Sequence, residues 1–295
     1  MIKRVIFKNQ RLPYLLILPE LLIILVFFYW PSIQAIFWSL TLEPPFGGPA
    51  QWVGLDNFRE LLDSEEYYRS AGVTLLFAFW TTLISMGSAL ILALFVDRVI
   101  RGLVAYRAIL MWPYAIAAPA VAVAFQFIFQ PGVGFFAFLN DIWPGIWDPA
   151  IDGYDALVMV IIAASWKSIT YNFIFFLAGL QSIPKTFVEA AALDGADPIQ
   201  RFFTIVFPLL SPTFFFLLVI NVTDSFTEGF GIINVMTQGG PGGSTNILVY
   251  KLYQDGFIGL DLSSSSAQSV ILMVLVILLT FIQFRWIERR IHYAE

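Results

Sequence analysis

The sequence predicts an all-α integral membrane protein, and three observations carry that prediction. Of its 295 residues, 59% are hydrophobic and 13% charged, with a mean hydropathy of +0.79, whereas water-soluble domains devote about a quarter of their residues to charge. The apolar residues gather into runs of about 20, the length a helix needs to cross roughly 30 Å of hydrocarbon. One polar segment, residues 189–208 (EAAALDGADPIQRFFTIVFP), breaks the apolar sequence with small and charged residues, a glycine turn and a proline stop.

Six spans are expected in one domain covering residues 1–295. The first covers about 14–36 and the second about 72–95. The first is too long for a signal peptide and offers no small-x-small cleavage site, so it is expected to stay uncleaved. The third, about 109–129, contains Pro113 and Pro119; each removes a backbone donor, so this helix is expected to kink or break. The fourth covers about 156–180, the fifth about 209–235 and the sixth about 267–286. Trp30, Trp38, Trp52, Trp143, Trp147 and Trp286 fall near span ends, where amphipathic rings favour the headgroup layer.

Orientation follows from the short connections, because Lys and Arg are retained on the cytoplasmic side. Lys3, Arg4, Lys8, Arg11, Arg98, Arg101, Arg107, Lys185, Arg201, Arg285, Arg289 and Arg290 fall on one side, against Arg59, Arg69 and Lys251 on the other. Both termini are therefore expected in the cytoplasm. The absence of cysteine excludes disulfides, thiolate metal sites and a Cys nucleophile. The single histidine, His292, lies in the C-terminal tail and reads as solvated tail, so no metal site is expected.

The polar segment lies on the cytoplasmic side between the fourth and fifth spans. Pro184 precedes the helix-forming run KTFVEAAAL, which ends at Asp194-Gly195, a natural left-handed helix cap. Asp197-Pro198 then restarts a helix: Asp accepts orphan amide hydrogens, and Pro at the first position loses no bond. Ala190, Ala191 and Ala192 leave a low-relief surface with Glu189 beside it. The pattern fits either a docking site for a partner or an amphipathic helix lying on the membrane surface.

At these residues the chain resembles the inner-membrane permease subunits of binding-protein-dependent ABC importers. Their signature is EAA, three residues, Gly, nine residues, then Ile-x-Leu-Pro, met here by Glu189, Ala190, Ala191, Gly195, Ile205 and Pro208, with Phe207 in place of Leu. The resemblance implies a six-span type I importer transmembrane domain whose loop 184–208, Asp194 included, forms a coupling helix docked on an ATPase subunit. Longer stretches, SWKSITYNFIFFLAGLQSIP (165–184) and YKLYQDGFIGLDLSSSSAQSV (250–270) above all, narrow the resemblance to permeases of sn-glycerol-3-phosphate importers. That implies half of a translocation pathway for sn-glycerol-3-phosphate, worked by alternating access, with glycerophosphodiesters as a further candidate cargo. It also implies a second homologous permease, two ATP-binding subunits, a periplasmic solute-binding protein and surrounding lipid, with no nucleic acid. The chain has no G-x-x-x-x-G-K-[ST] loop, so ATP and magnesium are expected on the partner and no cofactor here; the chain reads as a transporter subunit, not an enzyme.

Lys167 lies near the midpoint of the fourth span, where an ammonium costs at least about 2.5–3.5 kcal/mol, so it is expected to face a cavity or a partner. It either attracts a substrate phosphate, with Ser168, Thr170, Tyr171 and Asn172 nearby, or pairs with an internal acid. Asp224 and Glu228 lie four apart on one face of the fifth span with Asn221 adjacent; they are candidates for that pairing, for a gate, or for a substrate hydroxyl. The outer segment TQGGPGGSTN supplies Gly239, Gly240 and Pro241, which either dock the binding protein or form a flexible loop. A neutral-sugar permease is the nearest rival reading. A secondary transporter would show internal repeats and has no use for the EAA pattern.

Overall fold

The computed structural model describes residues 11–44, 48–97 and 103–287. Lys3, Arg4, Lys8, Arg98, Arg101, Arg289 and Arg290, on which the expected orientation partly rests, and His292 lie outside them, as do the side chains of Arg107 and Trp286. Among the described residues five helices are long and apolar enough to cross a membrane: Leu12–Ser39, Glu65–Asp97, Gly153–Ser182, Pro198–Thr227 and Leu262–Arg285. The third span is a bent pair instead, Ala108–Ala115 and Ala118–Ile128, with an angle of 106° between the limbs. Its cause is local. Pro113 sits in a tight 3-10 turn, Trp112–Ala115, Ile116 and Ala117 turn extended, and Pro119 falls in the first turn of the next helix, where a missing N–H loses nothing.

The chain divides into two compact units, Met1–Asp63 with Leu252–Ile271, and Ser64–Lys251 with Leu272–Glu295. In the smaller unit, the first span has no buried residue in its apolar window. A short hairpin follows, pairing Thr41 with Trp52 and Leu42 with Gln51. The Asn57 amide locks that hairpin to the end of the span by donating to the carbonyls of Ser39 and Thr41, both at 2.9 Å.

The larger unit is built on the second, fourth and fifth spans. Met86, Ala89, Ala93 and Val96 pack against Phe173, Phe176, Leu177 and Leu180, with Leu210 and Leu217 closing the cluster. Alanine at 89 and 93 lets the backbones approach closely, the usual route to helix association where lipid removes the hydrophobic drive. One polar cluster crosses this interface. The Asn172 amide donates to Asn221 Oδ1 at 2.9 Å, and Asn221 returns the bond to Asn172 Oδ1 at 2.6 Å while also donating to the Leu217 carbonyl at 2.7 Å. Ser85 of the second span donates to Asn221 Oδ1 at 3.2 Å. All three helices thus meet at one buried amide pair.

Two sequence expectations change. The fifth span does not continue to about residue 235: its helix stops at Thr227, and a separate helix, Phe230–Met236, follows. The break falls at Gly229, where a Cβ would lie 2.8 Å from Ile247 Cδ1 and 3.0 Å from Phe77 Cε1. Trp147 is not a headgroup anchor. It is buried, donates its indole N–H to the Phe129 carbonyl at 2.8 Å, and stacks on Phe136 at 4.4 Å; both faces of the ring are enclosed because the residues after the third span fold back over it.

Replacing Asn172 by Leu leaves the Asn221 amide short of both its bonds to Asn172 in the interior. It is expected to lower stability by about 1–2 kcal/mol, read as an earlier thermal unfolding of the purified complex in detergent; an unchanged midpoint would count against the amide pair as the joint.

Candidate functional site

The larger unit encloses a cavity of about 410 Å³. The fourth span contributes Lys167, Ser168 and Tyr171, adjacent or one turn apart. The fifth contributes Asn221, Asp224 and Ser225, and Glu228 follows at its end. The spacing from Asn221 to Asp224 to Glu228 keeps one helical face turned to the cavity, and the Glu228 amide closes that last turn on the Asp224 carbonyl at 2.7 Å. The broken third span adds Tyr114 and Ala118, and the second adds Phe77 and Thr81.

The cavity gathers one ammonium and two carboxylates within apolar helices, yet no ion pair within 4.0 Å joins Lys167 to Asp224 or Glu228. The lysine Nζ lies 5.8 Å from the centre of the Tyr114 ring, and that ring stacks on Tyr171 at 6.4 Å, 25° from parallel. Thr81 is buried and its hydroxyl has no partner, so it is a spare polar atom at the cavity wall. Thr170 is not in the lining; its hydroxyl donates to the Leu110 carbonyl at 2.8 Å and pins the first limb of the third span. Asn172 is fully buried, outside the lining, and committed to Asn221. Among the sequence candidates, then, Lys167, Tyr171, Asn221, Asp224 and Glu228 come together and Asn172 supports them from behind. Tyr114 and Thr81 were not foreseen. A tyrosine enclosed by two prolines was the available signal for the first; nothing in sequence marked the second.

The polar segment folds into two short helices, Lys185–Leu193 and Pro198–Arg201. The Ala196 amide reaches the Ala191 carbonyl at 3.0 Å and the Gly195 amide the Ala192 carbonyl at 3.2 Å, the paired pattern of a Schellman cap. Gly195 holds φ +86, a region that side-chain-bearing residues occupy at a cost. Asp197 then caps the second helix, accepting from the Ile199 and Gln200 amides, each at 2.8 Å. The turn folds the segment back on itself, so that Ala190, Ala191 and Asp194 line a groove opposite Ile205 and Pro208. Residues from both ends of the spaced pattern therefore share one surface. Glu189 is exposed beside the groove, and Leu193 and Ile199 stand out at 89% and 71% exposure.

The glycine-rich segment 237–246 and the residues after it are pinned at several points. Thr237 and Thr245 share a 2.7 Å hydroxyl bond, Leu248 donates to Thr74 of the second span at 2.9 Å, and buried Lys251 pairs with Glu66 at 3.2 Å. Gly239 is buried beneath Tyr250, while Gly240 and Pro241 are partly exposed; of the three, only the latter two present surface.

Spanning helices around a polar cavity, with a folded polar turn at the base of one span, define a transmembrane subunit of the transporter class. The sequence profile of the binding-protein-dependent transport system inner membrane component family matches residues 2–293, and the chain belongs to that family. The sn-glycerol-3-phosphate transport system permease protein UgpA of Rhizobium meliloti is 49% identical over 99% of this chain and 100% of its own length. The protein of that name from Brucella abortus is 51% identical over the same shares. The fold matches a solved bacterial alginate ABC transporter, in complex with an alginate pentasaccharide-bound periplasmic protein, with TM-score 0.83 at 23% identity, covering 96% of each chain.

Gly195→Val should open the Schellman turn, because a β-branched residue tolerates positive φ poorly. With spin labels on Leu193→Cys and Ile199→Cys in this cysteine-free chain, the expected result is a broadened inter-label distance distribution; an unchanged narrow one would show that the turn does not depend on glycine.

Proposed function

We propose that the chain is one permease subunit of an ATP-driven importer of sn-glycerol-3-phosphate and forms half of its pathway. The observation that carries this reading is the cavity: a lysine near the centre of a spanning helix, unpaired with the two acids beside it, in a chain about half identical, end to end, to permeases named for that substrate. A charge held in hydrocarbon at such cost needs a use. Here Lys167 attracts the phosphate in transit, while Ser168 and Tyr171 on the same wall offer hydroxyls to a polyol. The two carboxylates also suit hydroxyl donors, which keeps a neutral-sugar permease as the second reading.

In the same proposal the turn at residues 189–208 docks in a cleft of the ATPase subunit and passes its closure to the fifth span. The turn runs directly into that span, Pro198–Thr227, whose far end carries Asp224. A second permease completes the pathway, two ATP-binding subunits hold ATP and magnesium, a periplasmic binding protein delivers substrate to the outer face around Gly240 and Pro241, and both termini lie in the cytoplasm. Alternating access between the two permeases moves the substrate.

Two measurements on the complete importer in proteoliposomes test this. Lys167→Ala is expected to reduce sn-glycerol-3-phosphate uptake on the order of tenfold, the weight of one charge-assisted contact, and unchanged uptake would remove the lysine from the pathway. Glu189→Lys is expected to leave basal ATP hydrolysis in place while abolishing its stimulation by loaded binding protein. Normal stimulation and uptake would contradict the coupling role.

A further inference from the structure

We propose that Tyr114 is a positioning residue: its ring holds the Lys167 ammonium away from Asp224 and Glu228, so that the cation stays available to an anionic substrate. This rests on the reading of Lys167 given above. A lysine is a compact charge on a flexible four-carbon stem, and in a low-dielectric site its default is to fall onto the nearest carboxylate. Two carboxylates share its cavity, yet neither comes within 4.0 Å of it. The ammonium instead lies 5.8 Å from the Tyr114 ring centre, inside the reach of about 6 Å over which an aromatic face attracts a cation.

The ring is held in place from two sides. Behind it runs an aromatic row in which Tyr171 packs on Phe175 at 4.7 Å and Phe175 on Phe216 at 5.3 Å, with Tyr114 stacked on the Tyr171 end. Below it, the 3-10 turn Trp112–Ala115 fixes the backbone, and Thr170 ties the preceding Leu110 carbonyl to the fourth span at 2.8 Å. A phosphate that enters the cavity competes for the ammonium with a ring face, whereas in a closed Lys167–Asp224 pair it would have to displace a carboxylate.

The test uses the complete importer in proteoliposomes and reads KM and maximal rate for sn-glycerol-3-phosphate. Tyr114→Leu is expected to raise KM about two- to fivefold, the weight of a cation–π contact to a ring that is 60% exposed, with Tyr114→Phe near the parent because the ring face and not the hydroxyl acts. Adding Asp224→Asn to Tyr114→Leu is expected to restore KM in part, because it removes one of the two competing carboxylates. A parental KM for Tyr114→Leu, a Tyr114→Phe as impaired as the Leu variant, or a double variant no better than the single would each overturn the proposal. If Tyr114→Leu fails to assemble, Tyr114→Met keeps the bulk without the ring face and carries the same expectations. Lys167→Ala in the same preparation separates the two claims: full uptake by it defeats the reading of the lysine itself, while impaired uptake beside a normal Tyr114→Leu defeats only the role of the tyrosine.

Discussion

A polar group inside a bilayer is costly unless it has a partner, and the reciprocal amide pair between Asn172 and Asn221 is the partnership on which the larger unit depends. It joins the fourth and fifth spans, accepts Ser85 from the second, and saturates itself with the Leu217 carbonyl. Because side chains on one helical face recur every three to four residues, fixing Asn221 also fixes which way Asp224 and Glu228 turn. The same registry on the fourth span sets Ser168 one turn from Asn172, with Lys167 next to it. The cavity is thus a consequence of how three helices dispose of their polar residues.

The fifth span links this cavity to the polar turn. Its lower end begins at the Asp197 cap and its upper end stops beside Glu228, where Gly229 allows Ile247 and Phe77 to approach. Between them the helix passes through a π-helical turn, Phe202–Val206, and two prolines, Pro208 and Pro212. A movement of the turn at residues 189–208 therefore acts on the same rod that carries Asn221 and Asp224, which gives the proposed coupling a mechanical route.

Much of this was legible in sequence because it is local. Apolar runs of spanning length announce helices whatever they pack against, and the turn at Gly195 is written in the residues that make it: alanines for the helix, glycine for positive φ, Asp-Pro for the restart. What could not be read was everything that depends on a distant partner. Asn172 looked like a pathway residue and is instead committed to an amide 49 positions away. Trp147 matched the interfacial pattern but is covered by Phe129 and Phe136. Tyr114 lines the cavity from the limb just before a 106° break, an angle that two prolines permit without specifying. Thr81 carries no signal at all, since a threonine in an apolar helix most often bonds back to its own backbone.

Labelling of a single cysteine at Ser168, a half-buried cavity-wall position in a chain without native cysteine, tests the central claim most directly. In the complete importer with a membrane-impermeant maleimide, sn-glycerol-3-phosphate under turnover conditions should slow the modification, while a solute that the importer does not carry should leave it unchanged. Modification at the same rate with and without substrate, in a variant that still transports, would contradict a substrate path through this cavity.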